Sequence, residues 1–305
     1  MSERAMGLRD AVPYLRMYKG RTFVLKAGGN VVRDPVVLDG FVEQIALLHQ
    51  LNIDVVVVHG GGPQVSEVSG RLGIPVEMVN GRRITNRDTL EVVKMVLNGS
   101  VNTDLLAAMG KHEIPAIGVS GVDAALITAV RRPVGPIRDA TTGVMRDVDF
   151  GFVGDVVGVN VNVLRHLLVG SLVPVVSALA LGADGTVYNV NADTIAARLG
   201  GALKAEKLMF LTDVPGVLRD KSDPKSLISH LTSAGVDRLL ADGMGGGMRA
   251  KLEACRDAID HGVRRAHIIS GIKPDSVLVE VFTNEGSGTL IEDADTHSQE
   301  ELALT

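Results

Sequence analysis

The sequence predicts an α/β fold: a mainly parallel sheet covered by helices, with β-hairpin excursions projecting from it. Three observations point there. Residues 22–26 (TFVLK) form a β-rich run ending in glycines, 36–51 carry a helical stripe, and 53–58 (IDVVVV) form a second run ending in HGGG. That second run is apolar without alternation, as a strand covered on both faces must be. Between residues 126 and 158, Pro133, Gly135, Pro136, Gly143 and Gly151 punctuate β-rich pieces, which is the pattern of hairpins.

In chain order, Leu8, Ala11, Val12, Leu15 and Tyr18 share one helical face, and Pro13 inside that stripe predicts a kink or a division. Two readings stay open for this segment: a helix packed on its own domain, or a kinked arm, residues 1–20, that crosses to another subunit. Val37, Phe41, Ile45 and Leu48 mark the next helix. A helix follows at about 87–110, then a short strand at 114–119. A helix at 161–169 feeds an apolar strand at 172–176, and YNVNADT at 188–194 opens another helix. Residues 207–216 read as strand then turn, 246–261 as helix, 267–270 as strand, 274–283 as a last helix and 289–291 as an edge strand. The acidic stretch 292–305 lacks a periodic stripe and is expected to be a mobile tail. An internal boundary is expected near residue 204, after the glycine-marked helix end at 199–201.

Composition narrows the class. With 305 residues, 46% of them hydrophobic and 22% charged, the chain can bury a large core, as one unit or as two joined lobes. The net charge of -5 and the lack of a long basic stretch argue against a nucleic-acid partner. No apolar run has signal-peptide or membrane-spanning length, so no membrane partner and a cytoplasmic location are expected. The single cysteine, Cys255, lies in a helical pattern beside Leu252 and Ile259, where a buried small hydrophobe is the better reading than a functional thiol.

Glycine density gives the first chemical clue. Gly28 and Gly29 follow one apolar strand and Gly60, Gly61 and Gly62 follow another, at the carboxyl ends where open α/β sheets bind ligands. Such loops let a phosphate approach backbone N–H groups ahead of a helix amino terminus, although tight turns alone would also use glycine. HGGGPQ matches neither GxGxxG nor GxxxxGK[ST], which discounts a dinucleotide fold and a P-loop. Lys26, inside apolar sequence, calls for an anion. Asp193 at a helix start and Lys251 after GGGMRA each have an ordinary structural reading, and spacing alone does not bring them together.

The strings KAGGN (26–30), HGGGPQV (59–65), NGRRIT (80–85), LEVVKMVLNGSVN (90–102), YNVNADT (188–194), KLMFLTDVPGVL (207–218) and GGGMRAKLEA (245–254) together resemble the amino-acid kinase family, most closely its N-acetyl-L-glutamate kinases of arginine biosynthesis. The resemblance covers about residues 20–291. It implies a three-layer αβα sandwich, with an acceptor-substrate lobe at 21–203 and an ATP-binding lobe at 204–305. It also implies ATP and Mg²⁺, with phosphate passing to the side-chain carboxylate of N-acetyl-L-glutamate.

Residue by residue, the resemblance makes Lys26 and Lys251 the phosphate-binding lysines and Asp193 the carboxylate that orients them. It places Gly28, Gly29, Gly61 and Gly62 along the phosphoryl track, Arg83 and Asn189 at the acceptor's α-carboxylate region, and Thr212 and Asp213 at the nucleotide. A glutamate side chain is already ionised at neutral pH, so no general base is needed and no protein metal cage is expected; His59 is expected to be structural.

The chain departs from the family at several points: KAGG where many relatives have tyrosine before the glycines, GVDA at 121–124 where GKDG is usual, and GMRAK where GMIPK is common. Ser270 and Ile272 replace the acid and arginine of the DGR segment typical of arginine-inhibited members. The arm and LVEVFTNEGSGTLI at 278–291 still resemble hexameric, feedback-regulated members, which implies a homodimer core, a hexamer linked through residues 1–20 and an arginine effector. Rival readings are a kinase for another acyl-amino acid or an aminoadipate derivative, and an arginine-sensing protein with weak catalysis. No acetyltransferase segment occurs in the 305 residues, which favours a kinase over an acetylglutamate synthase.

Overall fold

A computed structural model describes residues 3–138, 143–220, 222–283 and 286–293. The first half runs α1 (Glu3–Tyr18), β1 (Thr22–Ala27), α2 (Pro35–Gln50), β2 (Asp54–His59), α3 (Gly62–Arg71), the short pair β3 (Met78–Val79) and β4 (Arg82–Arg83), and α4 (Arg87–Lys94). A π-helical turn, Met95–Val101, joins α4 to α5 (Asn102–Lys111), and β5 (Ala116–Ser120) follows. The excursions are β6 (Ile127–Arg131), β7 (Gly135–Arg138), β8 (Met145–Val148) and β9 (Gly154–Val159). Next come α6 (Asn162–Val169), β10 (Val173–Ser177), β11 (Leu179–Leu181), β12 (Val187–Asn189) and α7 (Ala192–Leu203). The last part is β13 (Lys207–Thr212), β14 (His230–Thr232), α8 (Ser233–Ala241), α9 (Gly246–Asp260), β15 (Arg265–Ser270), α10 (Ser276–Phe282) and β16 (Thr289–Glu292).

Eight strands form the main sheet in the order β14-β16-β15-β13-β1-β2-β10-β5. Every neighbouring pair is parallel except β15 with β16. The central strands are buried almost end to end, the signature of a sheet with helices on both faces. Here α2 packs on α5, and α7 packs on α9. The excursions form a four-stranded sheet, β12-β11-β6-β9, and the hairpin β7-β8. A small separate core of Val79, Val148, Phe150 and Val153 holds them. Among the described residues, no helix is long and apolar enough to cross a membrane.

Local chemistry accounts for the helix starts. Asp34 caps α2 by accepting from the N–H groups of Val36 and Val37, with Pro35 at the first helical position. Asn86 caps α4 through Thr89 N–H. The sheet crosses the expected boundary near 204 without a break, because β13 adds directly to β1.

Several expectations need correction. The helix expected at 87–110 is helical throughout but carries a π turn at its centre. Residues 289–291 do not form an edge strand: β16 lies between β15 and β14. The pair β14 and α8 went unread because β14 is only three residues long and Gly235 interrupts the α8 stripe. The expected tail at 292–305 starts too early. Glu292 ends β16, buried against Arg265 at 3.0 Å, and Asp293 accepts from the Ser233 hydroxyl at 2.6 Å. Residues 294–305 lie outside the described residues.

Pro13 does not divide α1. Tyr18 is only 3% exposed and meets Phe23 edge-on at 5.3 Å, so the end of α1 packs on its own domain. The Leu8 side chain lies outside the described residues.

Candidate active site

Two glycine loops sit side by side because two parallel strands end together. In register, Ala27 of β1 pairs with His59 of β2, and the chain turns into Gly28-Gly29 and Gly60-Gly61-Gly62 immediately beyond. Two of these positions have no room for a side chain. A Cβ on Gly29 would stand 2.6 Å from Pro63 Cδ, and one on Gly61 would stand 2.6 Å from Leu97 Cδ2. Gly28 N–H already donates to Leu211 O at 3.2 Å, so its donor is used within the fold. Gly61 caps α3 and Gly245 caps α9, and neither helix start receives a side-chain hydrogen bond. Each therefore keeps first-turn N–H donors and the positive end of a helix dipole for a ligand.

The lysines converge on one carboxylate. Lys26 Nζ lies 2.7 Å from Asp193 Oδ1, and Lys251 Nζ lies 3.2 Å from Asp193 Oδ2. The packing of α7 on α9 closes a 58-residue gap in sequence. Asn191 holds the start of α7 by accepting from Asp193 N–H at 2.7 Å. Lys26 is 7% exposed and Asp193 5%. Burial alone would raise the Asp193 carboxyl, but the two lysine charges outweigh it and hold the group below its ordinary value. The cluster is left with one uncompensated positive charge.

A third cation faces the other side of the glycines. Arg83, in β4, donates through Nη2 to Gly62 O at 2.9 Å and to Ser66 Oγ at 2.7 Å. Its Nη1 is buried and has no hydrogen-bond partner among the described residues. Burial lowers the guanidinium from its ordinary value, yet arginine stays charged. Arg83, Asn189, Gly61 and Gly62 line a cavity of about 200 Å³ whose apolar wall includes Val65, Val93 and Leu97. Asn189 is fixed by donating to Thr85 Oγ1 at 3.1 Å. Ala192, next to Asp193, also lines this cavity, so the acceptor-type pocket and the lysine cluster are neighbours.

Thr212 ends β13, Asp213 follows it, and they belong to neither group. Asp213 Oδ2 accepts from Asn30 Nδ2 at 2.6 Å, which ties this turn to the loop after β1. Three further side chains at the site went unread in the sequence. Arg82 and Arg132 line the cavity, and Asn102 contacts His59. Arg82 was visible inside NGRRIT and Asn102 at the end of LEVVKMVLNGSVN, whereas Arg132 carried no local signal.

His59 is wholly buried, and its tautomer is set by its neighbours. Nδ1 donates to Gly60 O at 2.9 Å, and Nε2 accepts from Asn102 Nδ2 at 3.1 Å. The same Asn102 amide donates to Val175 O, so nitrogen, not oxygen, faces the ring. Burial lowers the imidazole to about 4, leaving it neutral at pH 7. Cys255 is also buried, and its thiol is pushed well above its ordinary value, first by burial and then by the Asp193 charge.

The sequence pattern of the amino acid kinase family matches residues 21–270. The chain belongs to the amino acid kinase family. An acetylglutamate kinase of Myxococcus xanthus is 46% identical over 285 residues, covering 93% of this chain and 92% of that one. An acetylglutamate kinase of Symbiobacterium thermophilum is 43% identical over 290 residues, with coverage of 95% and 97%. Among solved structures, an N-acetylglutamate synthase from Neisseria gonorrhoeae, complexed with coenzyme A and N-acetyl-glutamate, superposes with a TM-score of 0.81 at 26% identity. The match covers 96% of this chain but only 64% of the synthase. A carbamate kinase from Giardia lamblia shares the family fold at 19% identity and a TM-score of 0.64.

Proposed function

We propose that this protein transfers the γ-phosphoryl group of ATP to the side-chain carboxylate of N-acetyl-L-glutamate, forming N-acetyl-L-glutamyl 5-phosphate and ADP in arginine biosynthesis. One observation carries the reading beside the family membership. Two lysines, buried Lys26 and half-buried Lys251, share a single carboxylate, Asp193, while a third cation, buried Arg83, faces the glycine loops from the other side with Nη1 unpartnered among the described residues. A site built this way is incomplete without anions on both sides.

On the acceptor side, Arg83 Nη1 and Asn189 hold the α-carboxylate, and the apolar wall of the cavity takes the acetyl group. On the donor side, Lys26, Lys251 and the open start of α9 hold the phosphates, with Thr212 and Asp213 at the nucleotide. A carboxylate oxygen bonds to the γ-phosphorus as the bond to the β,γ-bridging oxygen breaks. No proton moves, because the carboxylate is already ionised. The chain's task is to cancel repulsion between two anions and to match the spread charge of the transition state. His59, neutral and committed at both nitrogens, takes no part in proton transfer.

Mg²⁺ arrives with the nucleotide in this proposal. Mg²⁺ would be held mainly by phosphate oxygens and water, as this ion commonly is. The lobes divide as acceptor, 21–203, and nucleotide, 204–305. A cytoplasmic location, a homodimer core and a hexamer formed through residues 1–20 belong to the same proposal. So does an arginine effector in the carboxyl-terminal lobe. There α1 meets a buried polar group, with Glu280 2.6 Å from His267 and Lys207 5.2 Å from the Tyr18 ring.

ADP formation measured with N-acetyl-L-glutamate, free glutamate, aspartate and N-acetylaminoadipate, with and without arginine, tests the reading. Turnover is expected with the first substrate alone. Turnover with a different acceptor, or with none, would reject it. Lys26→Ala and Lys251→Ala should each lower kcat by roughly 10²-fold or more while the protein stays folded. In separate titrations, Arg83→Met should weaken acetylglutamate binding by about 10-fold or more and ATP binding little.

A further inference from the structure

We propose that Gln64 is a positioning residue for phosphoryl transfer: it joins the loop after Lys26 to the loop that lines the acceptor cavity and sets the gap between them. The inference rests on the function proposed above. Gln64 is the third residue of α3, and its Nε2 donates to Gly29 O at 3.1 Å. Its Oε1 lies 3.6 Å from where a Cβ on Gly29 would stand and 4.0 Å from the same point on Gly61. The amide is therefore wedged between the two loops, with Pro63 filling the remaining space against Gly29.

Beyond the paired strands, little else ties these loops together near the glycines. Gly60 N–H donates to Ala27 O at 3.3 Å at the base, and Gln64 spans the tip. Farther out, Arg33 and Glu67 form an exposed pair at 3.4 Å. Lys26 is anchored at one end of this clasp and the Arg83 contact to Gly62 at the other. The length of the clasp thus bears on the distance between a donor phosphorus and an acceptor oxygen.

Packing alone does not account for the amide. Oε1 is buried and has no hydrogen-bond partner among the described residues, a costly arrangement that an apolar side chain of equal length would avoid. A role only in folding predicts that methionine at this position is destabilising. A positioning role predicts that methionine is tolerated by the fold and harmful to transfer, because misplacing reactants by about 1 Å can cost 10²-fold in rate.

The test compares wild type, Gln64→Met and Gln64→Glu in steady-state ADP formation with ATP and N-acetyl-L-glutamate, alongside thermal melts. For Gln64→Met we expect kcat to fall by roughly 10- to 100-fold, with both KM values within about threefold and an unchanged melting midpoint. Gln64→Glu cannot donate to Gly29 O and adds negative charge beside the phosphate track, so kcat should fall further and the KM for ATP should rise. Wild-type kcat in Gln64→Met overturns the proposal. So does a loss confined to KM, or one that tracks a lowered melting midpoint. An inactive wild type instead rejects the function itself, and the inference falls with it.

Discussion

Replacing Asp193 with asparagine removes one charge and almost no volume. The backbone N–H of residue 193 still reaches Asn191 Oδ1, so the start of α7 is retained. What is lost is the carboxylate that pairs with two lysines, at 2.7 Å and 3.2 Å. Breaking a buried pair by deleting one partner costs about 3–5 kcal/mol. The Lys251 side chain is 16% exposed against 8% for Lys26, so water recovers part of that cost and the lower end, about 3 kcal/mol, is expected. Two unneutralised lysines also drift apart, and kcat should fall on the order of 10²-fold.

Urea unfolding at pH 7 measures the first effect and an ADP-coupled assay the second. ATP should restore part of the lost stability, because its phosphates supply the missing negative charge. The pH dependence has a defined direction. The Asp193 carboxyl is held below 3.8, so its contribution is complete above that pH and is lost as pH falls further. Wild type and Asp193→Asn should converge in stability only there. Stability within about 1 kcal/mol of wild type at pH 7, together with kcat within about threefold, would refute the reasoning.

His59 should make the fold acid-sensitive: its value is 6.5 in an exposed chain and about 4 when buried, so it supports the fold above pH 6.5 and withdraws that support on the way down to 4. The gap corresponds to about 3 kcal/mol, and the stability of His59→Asn should vary less with pH across that range in urea titrations. Ala124 adopts φ 50° and ψ 28°, the left-handed region in which an L-residue is strained. Ala124→Gly should raise stability by about 1 kcal/mol, and an unchanged or lower melting point would contradict the strain. The same position is where the family's usual GKDG places glycine.

Much of the fold was legible because its signals are local. The unalternating valines of β2 announced a two-faced strand, and the stripe Val37, Phe41, Ile45 and Leu48 announced α2. The π turn at 95–101 was not legible, since its sequence continues an ordinary helical pattern and the extra residue per turn emerges only when Leu97 packs on Gly61 and Asn102 reaches His59. The place of β16 inside the sheet was hidden for a similar reason. Strand order depends on which distant segment, here His230–Thr232, covers the outer edge.

By itself the sequence determined the chemistry available: two glycine loops at strand ends, a lysine in apolar surroundings, and motif strings specific enough to name a family. Only the tertiary structure decided which groups meet. It brought Lys26 and Lys251 to Asp193, left Arg83 Nη1 buried without a hydrogen-bond partner among the described residues, used up the Gly28 donor and set Gln64 between the loops. The physical reason is range. Propensity and periodicity act within a few residues, whereas the balance of buried charge is settled by helices and strands that meet from opposite ends of the chain.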